Sequence, residues 1–157
     1  MAKLHNYQTT VEWTGNEGEG TLNYKSYNRD HLISVVGKYD SIKASSDPAF
    51  LGDKSRYNPE ELFLSSLSSC HMLWYLHLCA TNNIIVSEYQ DNATGIMEES
   101  DNGSGKFVEV TLNPVVTIDN LEKKQLAIEL HEAANKMCFI ANSCNFIVSH
   151  NPEIKIK

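Results

Sequence analysis

Four cysteines are the residues of this 157-residue sequence best suited to chemistry: Cys70, Cys79, Cys138 and Cys144. All lie in the second half of the chain, within or next to apolar segments. A thiolate is a nucleophile and a metal ligand, whereas a thiol packed in an apolar core is inert. Disulfide-stapled secreted domains are shorter and richer in cysteine, and the N-terminal residues here contain no apolar signal segment. We therefore predict a cytoplasmic protein whose cysteines either pack in the core or react.

The amino-acid composition limits the classes of molecule that this protein could bind as its main partner. The 13 basic and 20 acidic side chains give a net charge of −7, and the basic residues are scattered along the chain. This distribution argues against nucleic acid or an anionic membrane surface as the main partner. A hydrophobic content of 41% is ample for a packed interior. The length predicts a single domain over residues 1–157.

The elements that must position the cysteines begin with β structure. Alternating or short apolar segments predict strands at 7–13, 21–27, 31–36 and 40–45, followed by a loop over 46–57. The first helix is predicted to start after an Asn58 cap, with Pro59 in its first position. Its sequence, LFLSSLSSCHMLWYLHLCA, is apolar or small on nearly every face. A helix of this kind is surrounded by protein, and its serines and histidines argue against a membrane span.

The second half of the chain predicts a β-hairpin, a helix and a closing strand. Segments 84–99 and 106–118 resemble two long strands joined by a turn. A helix follows Asp119 and Asn120, with an apolar stripe at Leu126, Leu130, Ala133 and Met137, and the tail predicts a closing strand or hairpin arm. This order predicts an α+β fold. Because one thin sheet cannot cover the first helix, we also expect a homodimer.

Two stretches carry a family resemblance: NPEELFLSSLSSCHM at 58–72 and HEAANKMCFIANSCNF at 131–146. They resemble the family of osmotically inducible protein C (OsmC) and organic hydroperoxide resistance protein (Ohr), through Asn58, Pro59, Glu60 and Cys70 in the first and Cys138 in the second. The resemblance implies antiparallel sheets around a long buried helix, in an intertwined homodimer. It also implies a thiol-dependent peroxidase that reduces organic hydroperoxides without a metal or organic cofactor.

The same resemblance implies roles for the two matched cysteines. Cys70 would attack the peroxide, Cys138 would resolve the sulfenic acid, and an external dithiol would reduce the resulting disulfide. Cys144, six residues after Cys138, is the alternative resolving thiol. Cys79 is expected to be structural, because it lies about half a turn away from Cys70 on the helix. A zinc site built from Cys70, His71, His77 and Cys79 is disfavoured, because their spacing spreads them over several faces.

The family also uses a glutamate and an arginine near its first cysteine. Glu60 matches the glutamate, but ten helical residues separate it from Cys70, which is about 15 Å along one axis. It would therefore need a bent helix or the cysteine of a second subunit. The chain has only two arginines, and neither stands where the family carries its own. Arg56 is the first candidate because it could pair with Glu60 across a short loop, and Arg29 is the second.

Because neither arginine stands at the family's position, two other functions stay open. The first is an OsmC-like dimer that binds a hydrophobic ligand and does not use its cysteines. The second is a thiol enzyme that acts on another electrophile, such as a persulfide. Labelling of a sulfenic acid at Cys70 after exposure to hydroperoxide distinguishes the peroxidase from the binding protein.

Overall fold

An α+β arrangement of two α-helices and nine β-strands makes up the computed structural model, which describes residues 3–157. The predicted fold class is confirmed. The strands are β1 (Thr10–Trp13), β2 (His31–Ser34), β3 (Ile42–Ala44), β4 (Val86–Asp91), β5 (Thr94–Glu99), β6 (Gly105–Leu112), β7 (Pro114–Ile118), β8 (Val148–His150) and β9 (Glu153–Ile156). The helices are α1 (Pro59–Thr81) and α2 (Lys124–Met137). The chain separates into two compact units, one ending at Leu62 and the other spanning Phe63–Lys157.

The first unit contains the antiparallel sheet β1–β2–β3. The strand predicted at 21–27 is wrong, because this segment forms turns instead. The Asn23 carboxamide accepts from the Lys25 amide, and the Ser26 hydroxyl accepts from the Asn23 amide. Asn and Ser side chains that bond nearby backbone in this way compete with a strand ladder.

The start of α1 is set by local capping. The Asn58 carboxamide oxygen accepts from the Glu61 amide at 2.7 Å, and the Glu61 carboxylate accepts from the Asn58 amide at 3.1 Å. This is a reciprocal capping box, and Pro59 occupies the first helical position. The helix therefore begins where the sequence predicted.

Replacing Asn58 by alanine removes the cap acceptor and is expected to lower the free energy of unfolding by about 1 kcal/mol. Urea unfolding followed by circular dichroism measures this loss. Asn145→Ala is the matched control, because Asn145 is exposed and its side chain makes no hydrogen bond within residues 3–157. Equal stabilities of the two variants would contradict the capping role.

The second unit holds two mixed sheets, β4–β7–β9 and β5–β6–β8. Each predicted long strand is in fact two strands, because the chain changes sheet at Asn92 and again at Asn113. Asp91 stabilises this crossover, since its carboxylate accepts from the Asn113 amide at 2.7 Å. The tail strands β8 and β9 do not pair with each other; they add in parallel to β6 and β7.

Helix α1 contributes to both hydrophobic cores of the second unit. Leu67 packs with the core beside β6 and β8, whereas Tyr75 and Cys79 pack with the core beside β7, β9 and α2. Its buried residues, Leu67, His71, Tyr75 and Cys79, follow a strict four-residue spacing. The rest of the helix is less buried than predicted, and Leu73 is 63% exposed. The expected homodimer, which would cover such residues, stays a prediction.

The buried face of α2 differs from the predicted stripe. Leu130 is buried as expected, but the other buried residues are Ala127, His131 and Ala134, and Met137 is 45% exposed. The predicted stripe favoured large apolar side chains such as Leu126 and Met137. In the structure the small side chains of Ala127 and Ala134 are buried, because they allow the helix to pack closely. No helix within residues 3–157 is long and apolar enough to cross a membrane.

Candidate active site

Cys70 and Cys138 are neighbours in the second unit. Cys70 lies half-buried in α1, and Cys138 is the C-terminal cap of α2, with only 1% of its surface exposed. An aromatic contact holds the two segments together: the rings of Trp74 and Phe139 meet edge to face at 5.7 Å. Trp74 lies one helical turn after Cys70, and Phe139 directly follows Cys138. The structure thus brings together the two cysteines that the family motifs select.

Cys138 holds its proton firmly. Burial raises the pKa of the Cys138 thiol to about 11, and the neighbouring Cys70 sulfur adds to this increase. Backbone amides that follow Cys138 oppose this increase, and the Ala141 amide donates to the sulfur at 3.4 Å, but burial outweighs their effect. Cys138 is therefore a protonated thiol at neutral pH.

The other two cysteines have different surroundings. Cys79 is 1% exposed in the core, and burial raises its pKa, as expected for a packing residue. Cys144 is half-buried, and its thiol donates to the Ile140 carbonyl at 3.3 Å. Burial also raises the pKa of Cys144. All four cysteines are free thiols.

Glu60 lies in the first turn of α1, in the first unit. One of its carboxylate oxygens is buried and accepts no hydrogen bond from any residue between 3 and 157. The neighbouring Glu61, and not Glu60, forms the capping box with Asn58. A buried carboxylate oxygen without a donor is costly, so this position is suited to an added donor.

The expected pairing of Arg56 with Glu60 is wrong. The Arg56 guanidinium binds Asp30 at 2.8 Å and approaches Asp53 at 3.7 Å. Asp30 belongs to a loop of the first unit that is distant from Arg56 in the sequence. The short spacing between Arg56 and Glu60 could not predict this ion pair. Arg56 is thus neutralised by two carboxylates.

Arg29 has no carboxylate partner within residues 3–157. Its guanidinium donates to the carbonyls of Tyr24 and Tyr27 and lies 4.3 Å from the centre of each tyrosine ring. It also lines a cavity of about 340 Å³ in the first unit, together with Trp13 and His31. Of the two arginines, Arg29 is the one whose charge is not already paired.

A buried histidine cluster was not found from the sequence. His71 and His131 are 1% and 0% exposed, and their rings are joined by a hydrogen bond of 3.0 Å. Tyr75 stacks on His131 at 3.8 Å, and His150 lies 5.6 Å from His71. Burial, followed by repulsion from neighbouring histidines, lowers the pKa of His71 to about 4 and that of His131 to about 3. The sequence feature that could have revealed this cluster is the position of His71 and His131 on the buried faces of the two helices.

The described part of the chain contains no group of three or more histidine, cysteine, aspartate or glutamate side chains placed to hold a metal ion. The two cysteines and two histidines that were considered as a zinc site, Cys70, His71, His77 and Cys79, are spread around α1. His71 faces the core, whereas His77 is exposed and contacts Trp74.

Comparisons with known proteins identify the family of this chain. A family model described as OsmC-like protein matches residues 52–157. An OsmC-like protein of unknown function from Vibrio cholerae is 31% identical, with 95% of this chain and 99% of that chain covered and a TM-score of 0.85. An organic hydroperoxide resistance protein from Elizabethkingia anophelis shares the fold at 17% identity, with both chains fully covered and a TM-score of 0.70. No curated protein matches the sequence significantly. This chain is a member of the OsmC-like protein family.

Proposed function

We propose that this protein is a thiol-dependent peroxidase that reduces organic hydroperoxides to alcohols. The observation that carries the proposal is the adjacency of Cys70 to Cys138, whose pKa is raised to about 11. A thiol peroxidase needs one sulfur to attack the peroxide and a second thiol close enough to condense with the resulting sulfenic acid. The family membership of the chain and the hydroperoxide resistance proteins among its structural relatives support the same chemistry.

The proposed reaction has two oxidative steps, followed by reduction of the disulfide. The Cys70 thiolate attacks the terminal oxygen of the hydroperoxide, the O–O bond breaks, and the released alkoxide takes a proton to become an alcohol. Cys70 is thereby oxidised to a sulfenic acid. The Cys138 thiol then condenses with it, which forms a disulfide and releases water. An external dithiol reduces the disulfide by thiol exchange and restores both thiols.

We propose Glu60 and Arg29 as the charged residues that orient the peroxide. The buried, unpartnered oxygen of Glu60 and the unpaired charge of Arg29 support these roles, whereas the two carboxylates bound to Arg56 argue against that residue. Because ten helical residues separate Glu60 from Cys70, Glu60 would act on Cys70 in a second copy of the chain. The proposal therefore includes the homodimer. A reducing compartment such as the cytoplasm would suit the free thiols.

Trapping of the disulfide tests the proposed function. Fully reduced protein is treated with one equivalent of tert-butyl hydroperoxide, alkylated and digested, and the linked peptides are identified by mass spectrometry. We expect a Cys70–Cys138 disulfide, with Cys79 and Cys144 alkylated as free thiols. A Cys79→Ala variant should form the same disulfide, since that residue is remote from the reaction. Recovery of all four cysteines as thiols would contradict the peroxidase function, and a Cys70–Cys144 disulfide would contradict the assignment of the resolving residue.

A further inference from the structure

The Arg29 side chain is held by two tyrosines of the first unit. Its guanidinium carbon lies 4.3 Å from the centre of the Tyr24 ring and 4.3 Å from the centre of the Tyr27 ring. The same guanidinium donates hydrogen bonds to the backbone carbonyls of both tyrosines. Each tyrosine therefore contacts Arg29 twice, through its ring and through its carbonyl. These contacts of Tyr24 and Tyr27 with Arg29 are called the tyrosine clamp below.

The backbone that carries Arg29 is fixed on both sides. The Trp13 indole N–H donates to the Asn28 carbonyl at 2.9 Å, and the Thr14 amide donates to the Asp30 carbonyl at 2.9 Å. Because Asn28 and Asp30 flank Arg29, its backbone has a defined position beside the first strand. The tyrosine clamp then has only the side-chain torsions of Arg29 to order.

The tyrosine clamp leaves part of the guanidinium available for a substrate. A guanidinium has five N–H donors, and the two bonds to carbonyls leave three that find no acceptor within residues 3–157. Carbonyl oxygens and aromatic faces carry no full negative charge, so they orient the cation without neutralising it. An ion pair, such as that of Arg56 with Asp30, does both. Arg29 is thus both oriented and unpaired, as a group that must meet a peroxide in one fixed geometry needs to be.

We propose that Tyr24 and Tyr27 are positioning residues for Arg29 in the peroxidase reaction, an inference that rests on the function proposed above. A free arginine side chain loses conformational entropy each time it is ordered against a substrate. The tyrosine clamp orders the side chain beforehand, so Arg29 would donate to the peroxide oxygens as Cys70 attacks. All contacts of the clamp lie within one chain and within the first unit, so a second copy of the chain is not needed to form them.

Nuclear magnetic resonance of the arginine side chains tests the tyrosine clamp without any reaction. The chain has only two arginines, so isotope-labelled arginine gives two Nε–H signals, and Arg29→Lys identifies the one from Arg29. We expect ring currents to shift the Arg29 signal upfield, and Tyr24→Leu to move it toward the position of free arginine. Tyr24→Phe keeps the ring and should keep the shift. Tyr39→Leu is the matched control, because Tyr39 is fully exposed and lies outside the clamp.

Rapid-mixing kinetics tests the link between the tyrosine clamp and the reaction. Reduced protein is mixed with tert-butyl hydroperoxide, and the loss of free thiol gives the rate constant for oxidation of Cys70. Tyr24→Leu should lower this rate constant about threefold, which corresponds to one cation–π contact at an exposed site. Tyr24→Phe and Tyr39→Leu should match the wild type. Reduction of the disulfide by dithiol does not involve Arg29 and should keep its rate in all three variants, which distinguishes positioning from a general loss of structure.

The two measurements separate the tyrosine clamp from the peroxidase. An Arg29 signal that is the same in the wild type and in Tyr24→Leu would overturn the clamp. A moved signal with an unchanged rate of Cys70 oxidation would overturn its role in the reaction and leave the peroxidase standing. An equal loss of rate in Tyr24→Phe and Tyr24→Leu would assign the effect to the hydroxyl and refute the role of the ring. If hydroperoxide does not oxidise Cys70 in the wild type, the proposed function itself is wrong, and the positioning role with it.

Discussion

Cys70→Ser is expected to lower hydroperoxide turnover by at least about a thousandfold, because a serine hydroxyl cannot replace a thiolate as the nucleophile at neutral pH. The assay follows consumption of tert-butyl hydroperoxide in the presence of a dithiol reductant. Cys79→Ala is the matched control on the same helix. Its buried side chain belongs to the core, so it should retain turnover even if the folded state is somewhat less stable.

Cys138→Ser should behave differently from Cys70→Ser. Without a resolving thiol, the protein should reduce about one equivalent of hydroperoxide and then stop with Cys70 as a sulfenic acid. A dimedone label on Cys70, detected by mass spectrometry, identifies that state. If Cys144→Ser stalls in this way and Cys138→Ser does not, Cys144 is the resolving residue. If Cys70→Ser keeps full turnover, the proposed mechanism is wrong.

Acidification is expected to destabilise the fold through the buried His71–His131 pair. Burial holds the pKa of His71 at about 4, whereas the unfolded chain has a histidine pKa near 6.5. Between these values the unfolded state binds more protons than the folded state, so stability falls as the pH decreases from about 6.5 to 4. The loss from His71 alone is about 3 kcal/mol, and it is absent above pH 7.

The groups that face this pair decide whether it can be protonated in the folded state. His150 approaches from β8 and Tyr75 stacks from α1, and neither supplies negative charge to the pair at neutral pH. Glu132 lies 3.8 Å from His150, on the exposed side of the cluster. The Glu132 carboxylate therefore contacts His150 and not the buried pair, whose lowered pKa values keep both rings neutral at pH 7.

Urea unfolding at pH 7.5, 6.0, 5.0 and 4.5 measures the effect. A His71→Gln/His131→Gln double variant keeps polar side chains that cannot titrate. It should be less stable at pH 7.5 but should lose much less stability on acidification. His77→Gln is the control, since His77 is exposed, and should follow the wild-type pH dependence. A double variant with the wild-type pH dependence would show that other groups cause the acid sensitivity.

Local signals made part of the candidate site predictable. The spacing from Asn58 to Cys70 places the cysteine on a capped helix, and the capping box that starts α1 involves residues only three positions apart. The same kind of local analysis failed at 21–27, where alternation indicated a strand. Hydrogen bonds from the backbone to nearby side chains stabilise turns there instead of a strand. The alternation of apolar and polar residues carries no information about such hydrogen bonds.

By itself the sequence determined the features whose causes lie within a few residues: the start of α1, the position of the two helices between β segments, and the motif that marks the family. Only the tertiary structure decided which distant side chains meet. It paired Arg56 with Asp30, and His71 with a histidine 60 residues away. It also placed Cys138 in a buried setting that raises its pKa. The physical reason is that burial and long-range contacts depend on how the elements pack, which no local pattern of residue types encodes.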